Sequence, residues 1–295
     1  MTSEPTALDA VLRAAAQVRV TAPRAPGGDV PKGGLVLAVT EQAAVRRLIQ
    51  ALAVEQTTDG TCMCFGDLSF KFFDQENDLV ATAGFHHASF LHWSGWKGLA
   101  VLRDGVAALR WLAEQGVDGP LAEHERRRRR YREQQLEEQR WRDDAPVAVR
   151  DLLDAALTAS GTTGAIPAEL TRLAIQRLGE ALPDPVERTA ATLAWYGSGS
   201  GRCSGYPVHE SLPAPALAQT PIAHIIAALE TCGMDERVVA GGVRHLYGSA
   251  SRDHQAEDVA TVPPRLRERL LAAARKSGDE DRLRRAQRWL SPRPQ

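Results

Sequence analysis

Residues 61–96 read TCMCFGDLSFKFFDQENDLVATAGFHHASFLHWSGW, and the parity of this stretch decides how the N-terminal part of the chain folds. It holds two of the four cysteines, three of the eight histidines, two of the six tryptophans and all six phenylalanines. Cys62, Cys64, Leu68, Phe70 and Phe72 all fall at even positions. An unbroken strand therefore turns them to one face and Asp67, Ser69 and Lys71 to the other. Asp74 to Asp78 is a polar turn, and on the return strand Leu79, Ala81, Ala83 and Phe85 alternate with Thr82 and Gly84. A loop of about four residues, Gln75 to Asp78, makes the two apolar sets face the same way, whereas about five would turn the odd set to the wrong side. In that register His87, rather than His86, lies on the cysteine face.

Upstream, Leu8, Leu12, Ala15 and Val18 fall near helical spacing and predict a helix over 7–19. Residues 21–34, TAPRAPGGDVPKGG, read as a loop. The apolar run Leu35 to Val39 predicts a buried strand. Thr40 is placed to cap a helix over 41–54 that carries Val45, Leu48, Ile49 and Leu52 on one face. Downstream, a helix starting near Asp104 carries Val106, Leu109 and Leu112 and ends at Gly116, a natural C′ residue. The order strand, helix, two strands, helix is most of a split β-α-β unit, with no convincing fourth strand.

Residues 121–144, LAEHERRRRRYREQQLEEQRWRDD, hold eight arginines against seven acids. Glu123 with Arg127, Glu125 with Arg129 and Glu138 with Arg142 have the favourable i, i+4 order. The segment has no apolar stripe and reads as a solvated connecting helix closed by Pro146. Beyond it no strand is convincing. Helices are expected over 147–159, 167–181, 185–196, 220–231, 234–247, 263–276 and 279–290. Asp184-Pro185 and Ser277-Gly-Asp-Glu280 mark two of their starts. A Gly/Ser-rich break, residues 197–220, interrupts them.

The expected fold class is thus α+β and mostly helical. Residues 1–34 are an N-terminal helix and Pro/Gly-rich lead-in, and 35–120 a small α+β domain (strand-helix-hairpin-helix). Residues 121–145 are the charged connecting helix, and 146–295 an all-α domain of bundle or HEAT-like architecture.

The composition is that of a soluble globular protein, 43% hydrophobic and 25% charged, with a net charge of −1. A near-neutral chain sets up no general field for nucleic acid or anionic lipid. No apolar run reaches the roughly 18 residues of a membrane span. The N-terminus lacks the pattern of a signal peptide, and four cysteines do not make a secreted disulfide framework. The expectation is a cytoplasmic protein, and high Ala, Arg, Gly and Pro with little Lys points to a GC-rich bacterial genome.

Four places could carry chemistry. Cys62 and Cys64 with His86, His87 and His92 bring together soft and imidazole donors that suit Zn²⁺ or Cu⁺, with Cys62, Cys64 and His87 as the ligand set that parity selects. Strand geometry opposes this, because i and i+2 lie roughly 6.6 Å apart. The favoured expectation is that both cysteines pack inward as small hydrophobes, with a reactive thiol as the remaining alternative. Trp93 and Trp96 beside these histidines form a candidate binding edge, or they cover one end of the sheet. The run Gly197–Gly205, GSGSGRCSG, could cradle a phosphate but follows a helix, so a loop is favoured; Tyr206, His209 and Glu210 after it form a second candidate binding edge. Arg126 to Arg130 wrap more than one helical turn between acids and favour a solvated face.

With no complete catalytic set, the function expected first is that of a non-enzymatic binding or adaptor protein whose partner is another protein, with a small molecule second. A metal- or thiol-dependent enzyme built on the Cys-x-Cys and His-His cluster is the alternative. A nucleic-acid accessory role through the arginine-rich helix ranks third, nucleic acid being a disfavoured partner, and no membrane partner is expected.

Overall fold

The structure, a computed structural model, describes residues 6–22, 34–64, 66–232, 235–248 and 258–290. The chain divides into two compact units, residues 1–130 and 131–295. It is a mixed α+β protein, mostly helical, as its residue pattern predicts.

Unit one is built on a seven-stranded antiparallel sheet. Its strands are β1 (Gln17–Thr21), β2 (Leu35–Val39), β3 (Val54–Thr57), β4 (Leu68–Phe73), β5 (Leu79–His86), β6 (Phe90–Trp93) and β7 (Leu99–Leu102). They lie side by side in the order β2-β1-β4-β5-β6-β7-β3. Three helices, α1 (Thr6–Leu12), α2 (Gln42–Ala51) and α3 (Gly105–Glu114), supply the rest of its core.

The alternation predicted for Leu68, Phe70 and Phe72 sets this core. In cross-strand register, Val18 faces Phe72 and Ala81, Val20 faces Phe70 and Ala83, and Leu68 faces Phe85, Leu91 and Ala100, all of them buried. Each large apolar side chain buried in these rows contributes about 1.5–3 kcal/mol. The rings of Phe70 and Phe85 meet edge to face at 5.8 Å. Leu8 and Leu12 of α1, Val45 and Leu48 of α2, and Leu109, Trp111 and Leu112 of α3 close the same core. The Trp111 indole N–H donates to the Ala44 carbonyl at 2.9 Å, so α2 and α3 are joined by a polar contact as well.

The other face carries a polar row. Thr21, Ser69, Gly84, His92 and Leu99 are successive partners across β1, β4, β5, β6 and β7.

Several local expectations change. The helix predicted over 7–19 stops at Leu12, because Val18 and Val20 are claimed by the sheet. Most of the Pro/Gly-rich loop, residues 23–33, lies outside the described residues. The run Leu35–Val39 is a strand but at the sheet edge, with Leu35 61% exposed rather than buried. The helix predicted over 41–54 spans Gln42–Ala51, capped by Glu41 instead of Thr40 and without a side-chain bond, and β3 follows directly. The hairpin turn has five residues, Asp74 to Asp78, with Phe73 opposite Leu79. A bulge between Phe72 and Phe73 then places Phe72 opposite Ala81 and restores the inward parity. Leu79, ahead of the bulge, is 56% exposed.

The helix α4 (Gly119–Asp143) is the charged segment. The Glu123–Arg127 and Glu138–Arg142 pairs form at 3.0 and 3.3 Å, and Arg126 also pairs with Glu123 at 2.7 Å. Arg126 to Arg130 are exposed, as a solvated face requires.

Unit two holds, among the described residues, helices and turns without a strand. Its helices are α5 (Leu153–Thr163), α6 (Ala168–Ala181), α7 (Pro185–Gly197), α8 (Ala214–Ala218), α9 (Ile222–Thr231), α10 (Glu236–Gly248), α11 (Pro264–Lys276) and α12 (Glu280–Leu290). Most lie close to the predicted spans, but the helix expected over 147–159 opens with a 3-10 turn over Val147–Leu152 and α5 runs on to Thr163, and α8 falls within the break expected over 197–220. Asp184 caps α7 by accepting the N–H groups of Val186 and Glu187 at 2.9 and 2.8 Å. At α12 the cap is Asp279, which accepts from Asp281 and Arg282, whereas the Ser277 hydroxyl turns back to donate to the Ala274 carbonyl. One core forms among α7, α9, α10, α11 and α12, and a second around Trp141, Trp195 and α6.

Candidate metal centre

The chain between β3 and β4 crosses the end of the sheet and is pinned at both ends. On one side the Thr58 N–H donates to the Leu99 carbonyl at 2.7 Å and the Leu99 N–H to the Gly60 carbonyl at 3.0 Å. On the other, the Asp67 N–H donates to the Phe85 carbonyl at 2.7 Å. Gly66 holds φ +81°, a left-handed conformation, and a Cβ there would sit 3.2 Å from the Phe85 carbonyl oxygen. Glycine is thus required where the chain reverses into β4.

This reversal overturns the parity argument for the cysteines. β4 begins at Leu68, and Cys62 and Cys64 lie in the preceding loop, half-buried, instead of continuing its inward face. Phe65 lies outside the described residues. Freed from strand spacing, the two sulfurs stand 2.8 Å apart.

The β5–β6 turn brings imidazoles to them. His86 ends β5 and is 8% exposed, and His87 and Ala88 follow with φ +56° and +53°. Left-handed backbone at two consecutive non-glycine residues is costly and persists where surrounding contacts enforce it. Here the His87 N–H donates to the Asp67 carboxylate, the Ser89 N–H to the His86 carbonyl at 3.0 Å, and the Leu102 N–H to the Ser89 carbonyl at 2.9 Å. Asp67 also faces Arg127 at 3.8 Å.

His86 Nδ1 lies 3.0 Å from Cys64 Sγ, and His87 Nε2 lies 3.5 and 3.3 Å from the sulfurs of Cys62 and Cys64. Donor atoms of Cys62, Cys64 and His86 all fall within 4.8 Å of one another, a spacing that a single metal ion could span. The set that strand parity selected, Cys62, Cys64 and His87, also converges, its three donor atoms lying within 3.5 Å of one another, so with the strand broken both imidazoles reach the sulfurs.

The electrostatics favour the ligating forms of Cys62 and His86 and oppose that of Cys64. The Cys62 thiol is held below its ordinary range, first by the Cys64 side chain, then by the Cys64 backbone N–H and by His87. The same sulfur–sulfur contact, followed by burial, raises Cys64, so the pair gives up one proton readily and holds the second. Burial, followed by the nearby imidazoles of His87 and His92, lowers His86 and keeps it neutral.

An open cavity of 550 Å³ adjoins the cluster. Its floor is the polar face of the sheet, with Ser69, Thr82, Gly84 and His92, and its walls include Cys62, Cys64, His86, Ser94 and Lys97. Trp93 and Trp96 do not line it. Their rings meet edge to face at 5.3 Å, Trp96 is buried and Trp93 packs on the core, so this pair covers the sheet end.

The remaining candidates lie in unit two. Tyr206, His209 and Glu210 line a cavity of 340 Å³ with Glu137, Glu138 and Arg202. Glu210 is fully buried. Its carboxylate accepts the Ser200 N–H at 2.8 Å, the Ser200 hydroxyl at 2.7 Å and Arg244 Nη1 at 3.0 Å. The Gly/Ser run therefore closes around an internal carboxylate, which occupies the place a phosphate would need. Nothing in the residue pattern links Glu210 to Arg244 across 34 positions.

Among the described residues no single helix is long and apolar enough to cross a membrane. No family model, curated protein or solved structure matches the chain.

Proposed function

We propose that unit one is a metal-binding module in which Cys62 Sγ, Cys64 Sγ and His86 Nδ1 hold a thiophilic divalent ion, zinc foremost. The observation behind this reading is the convergence of the three donors from two separately anchored segments. Two thiolates and an imidazole are a soft donor set that suits zinc. Two sulfurs bound to one zinc at about 2.3 Å each stand about 3.8 Å apart in a tetrahedral arrangement. The pair at 2.8 Å must therefore open by about 1 Å. The cysteines belong to a loop in which Met63 between them is fully exposed, so this movement breaks no strand pairing. His87 Nε2, 3.5 and 3.3 Å from the sulfurs of Cys62 and Cys64, is placed to join the three as a fourth ligand. Asp67 accepts the His87 backbone N–H and so holds that residue in position, the outer-shell support that metal ligands commonly receive.

The test is metal analysis of protein purified without a histidine tag, followed by Co²⁺ titration of the reduced protein. The expected result is one metal equivalent per chain and a sulfur-to-cobalt charge-transfer band that is absent from Cys62→Ser and Cys64→Ser. A clearly substoichiometric metal content, with no such band on titration, refutes the proposal.

A further inference from the structure

We infer that Cys62 and Cys64 form a redox-active dithiol, which closes to an intrachain disulfide by exchange with a low-molecular-weight disulfide, and that this reaction and metal binding exclude one another. The inference uses the two sulfurs of the metal-binding reading, but the disulfide itself requires no metal.

Three observations carry it. First, the sulfurs already stand 2.8 Å apart. They reach the bond length of about 2.05 Å by closing about 0.8 Å, a smaller movement than the opening of about 1 Å that zinc requires.

Second, the backbone permits the closure. Bridged residues have Cα atoms roughly 4.4–6.8 Å apart, and a straight strand puts i and i+2 near the upper limit, at about 6.6 Å. Here the chain bends at Met63 and Cys64, outside any strand. The movement falls between the anchors at Gly60 and Asp67 and breaks no strand pairing.

Third, the pair is accessible. Both cysteines line the open 550 Å³ cavity, and Met63 between them is fully exposed, whereas Cys203 is buried. A volume in the range of small-ligand sites selects a low-molecular-weight disulfide as the reaction partner.

The exchange balances in two steps. One thiol attacks the disulfide R–S–S–R, forms a mixed disulfide and releases R–SH, its proton passing to the departing sulfur. The neighbouring thiol then attacks the protein sulfur of the mixed disulfide, releases the second R–SH in the same way and completes the Cys62–Cys64 bond. The protein loses two electrons and two protons, and the small disulfide gains both. The second step is intramolecular, so it outruns capture of a second small molecule. A disulfide has no thiolate to offer a metal, and a bound metal occupies both thiolates, hence the mutual exclusion.

The experiment uses the full chain, reduced and freed of metal, incubated in a buffer of reduced and oxidised glutathione in equal parts and then alkylated. Mass spectrometry reads the tryptic peptide 48–71, which holds Cys62 and Cys64 and neither Cys203 nor Cys232. The expected product is this peptide unalkylated and lacking two hydrogen atoms, at roughly tenfold or more over its glutathione adduct. Cys62→Ser and Cys64→Ser should accumulate the adduct instead. A peptide that stays doubly alkylated, or carries glutathione without the internal bond, overturns the dithiol. Protein loaded with zinc beforehand, its loading checked by metal analysis, should oxidise roughly tenfold more slowly or less, and oxidised protein should give no cobalt charge-transfer band. Equal oxidation rates at full loading, or a band from the oxidised protein, overturn the mutual exclusion. The internal bond in a chain that takes up no metal overturns the metal reading alone, and full metal loading without the bond overturns this inference alone.

Discussion

Two adjacent glycines in α10, Gly241 and Gly242, should respond in opposite ways to the same added methyl group. Each glycine within a helix costs about 1 kcal/mol relative to alanine, so replacement is favourable wherever there is room. At Gly241 there is none. A Cβ would lie 1.9 Å from the Leu193 carbonyl oxygen on α7, and from the other helix a Cβ at Gly197 would lie 2.0 Å from the Arg237 carbonyl and 2.4 Å from the Gly241 nitrogen. The atoms met are backbone, so no side chain can swing aside. Restoring ordinary contact requires α7 and α10 to separate by about 1.5 Å against close packing that tolerates little overfilling. That separation disturbs Leu193, Val243 and Tyr247, all of them buried. Overpacking of this kind costs about 3 kcal/mol or somewhat more, against a propensity gain of about 1 kcal/mol. Gly241→Ala should therefore lose about 2–3 kcal/mol, a fall in Tm of roughly 4–12 °C for a unit of this size.

At Gly242 the nearest atom is Leu229 Cδ2 at 2.8 Å, the end of a rotatable side chain. Gly242→Ala should stay within about 1 kcal/mol of the parent, since repacking and propensity nearly cancel. Urea unfolding followed by far-UV circular dichroism compares all three proteins. Parent-like or greater stability for Gly241→Ala would refute the close helix contact.

Glu210→Gln should cost about 3–5 kcal/mol, because it leaves Arg244, 1% exposed, without a countercharge; urea curves check this, and a loss under about 1 kcal/mol contradicts the buried pair. Burial lowers the His245 imidazole to about 4 and also lowers His209. The unfolded chain therefore takes up protons below about pH 6.5 that the folded chain refuses, and stability should drop progressively from there toward pH 4. Denaturant midpoints from pH 7.5 to 4.5 read this out, and His245→Gln should flatten the slope. Gly66→Ala should destabilise unit one by about 1–2 kcal/mol, the left-handed penalty, and weaken metal binding about tenfold by shifting the cysteine loop; unchanged cobalt affinity would detach the loop reversal from the site.

The residue pattern alone determined most helices of the second unit to within a few residues, though not α8, because apolar spacing, Asp184 with Pro185, and most breaks between helices are local signals. It also determined which face of Leu68, Phe70 and Phe72 turns inward, since alternation along a strand is local too. The strands of Gln17–Thr21, Val54–Thr57, Phe90–Trp93 and Leu99–Leu102 escaped notice because it is their pairing with neighbouring strands that makes them strands.

The candidate site was visible as a density of donors but misread in its geometry. Parity along an unbroken strand sent the cysteines inward, and only the reversal at Gly66, held by the Asp67 contacts with Phe85 and His87, frees them from the strand spacing. Likewise no pattern joins Ser200, Glu210 and Arg244, or sets Gly241 against Leu193. Periodicity records which side of an element is apolar. Contacts between residues far apart in the chain depend on how the elements pack, and the tertiary structure decides those.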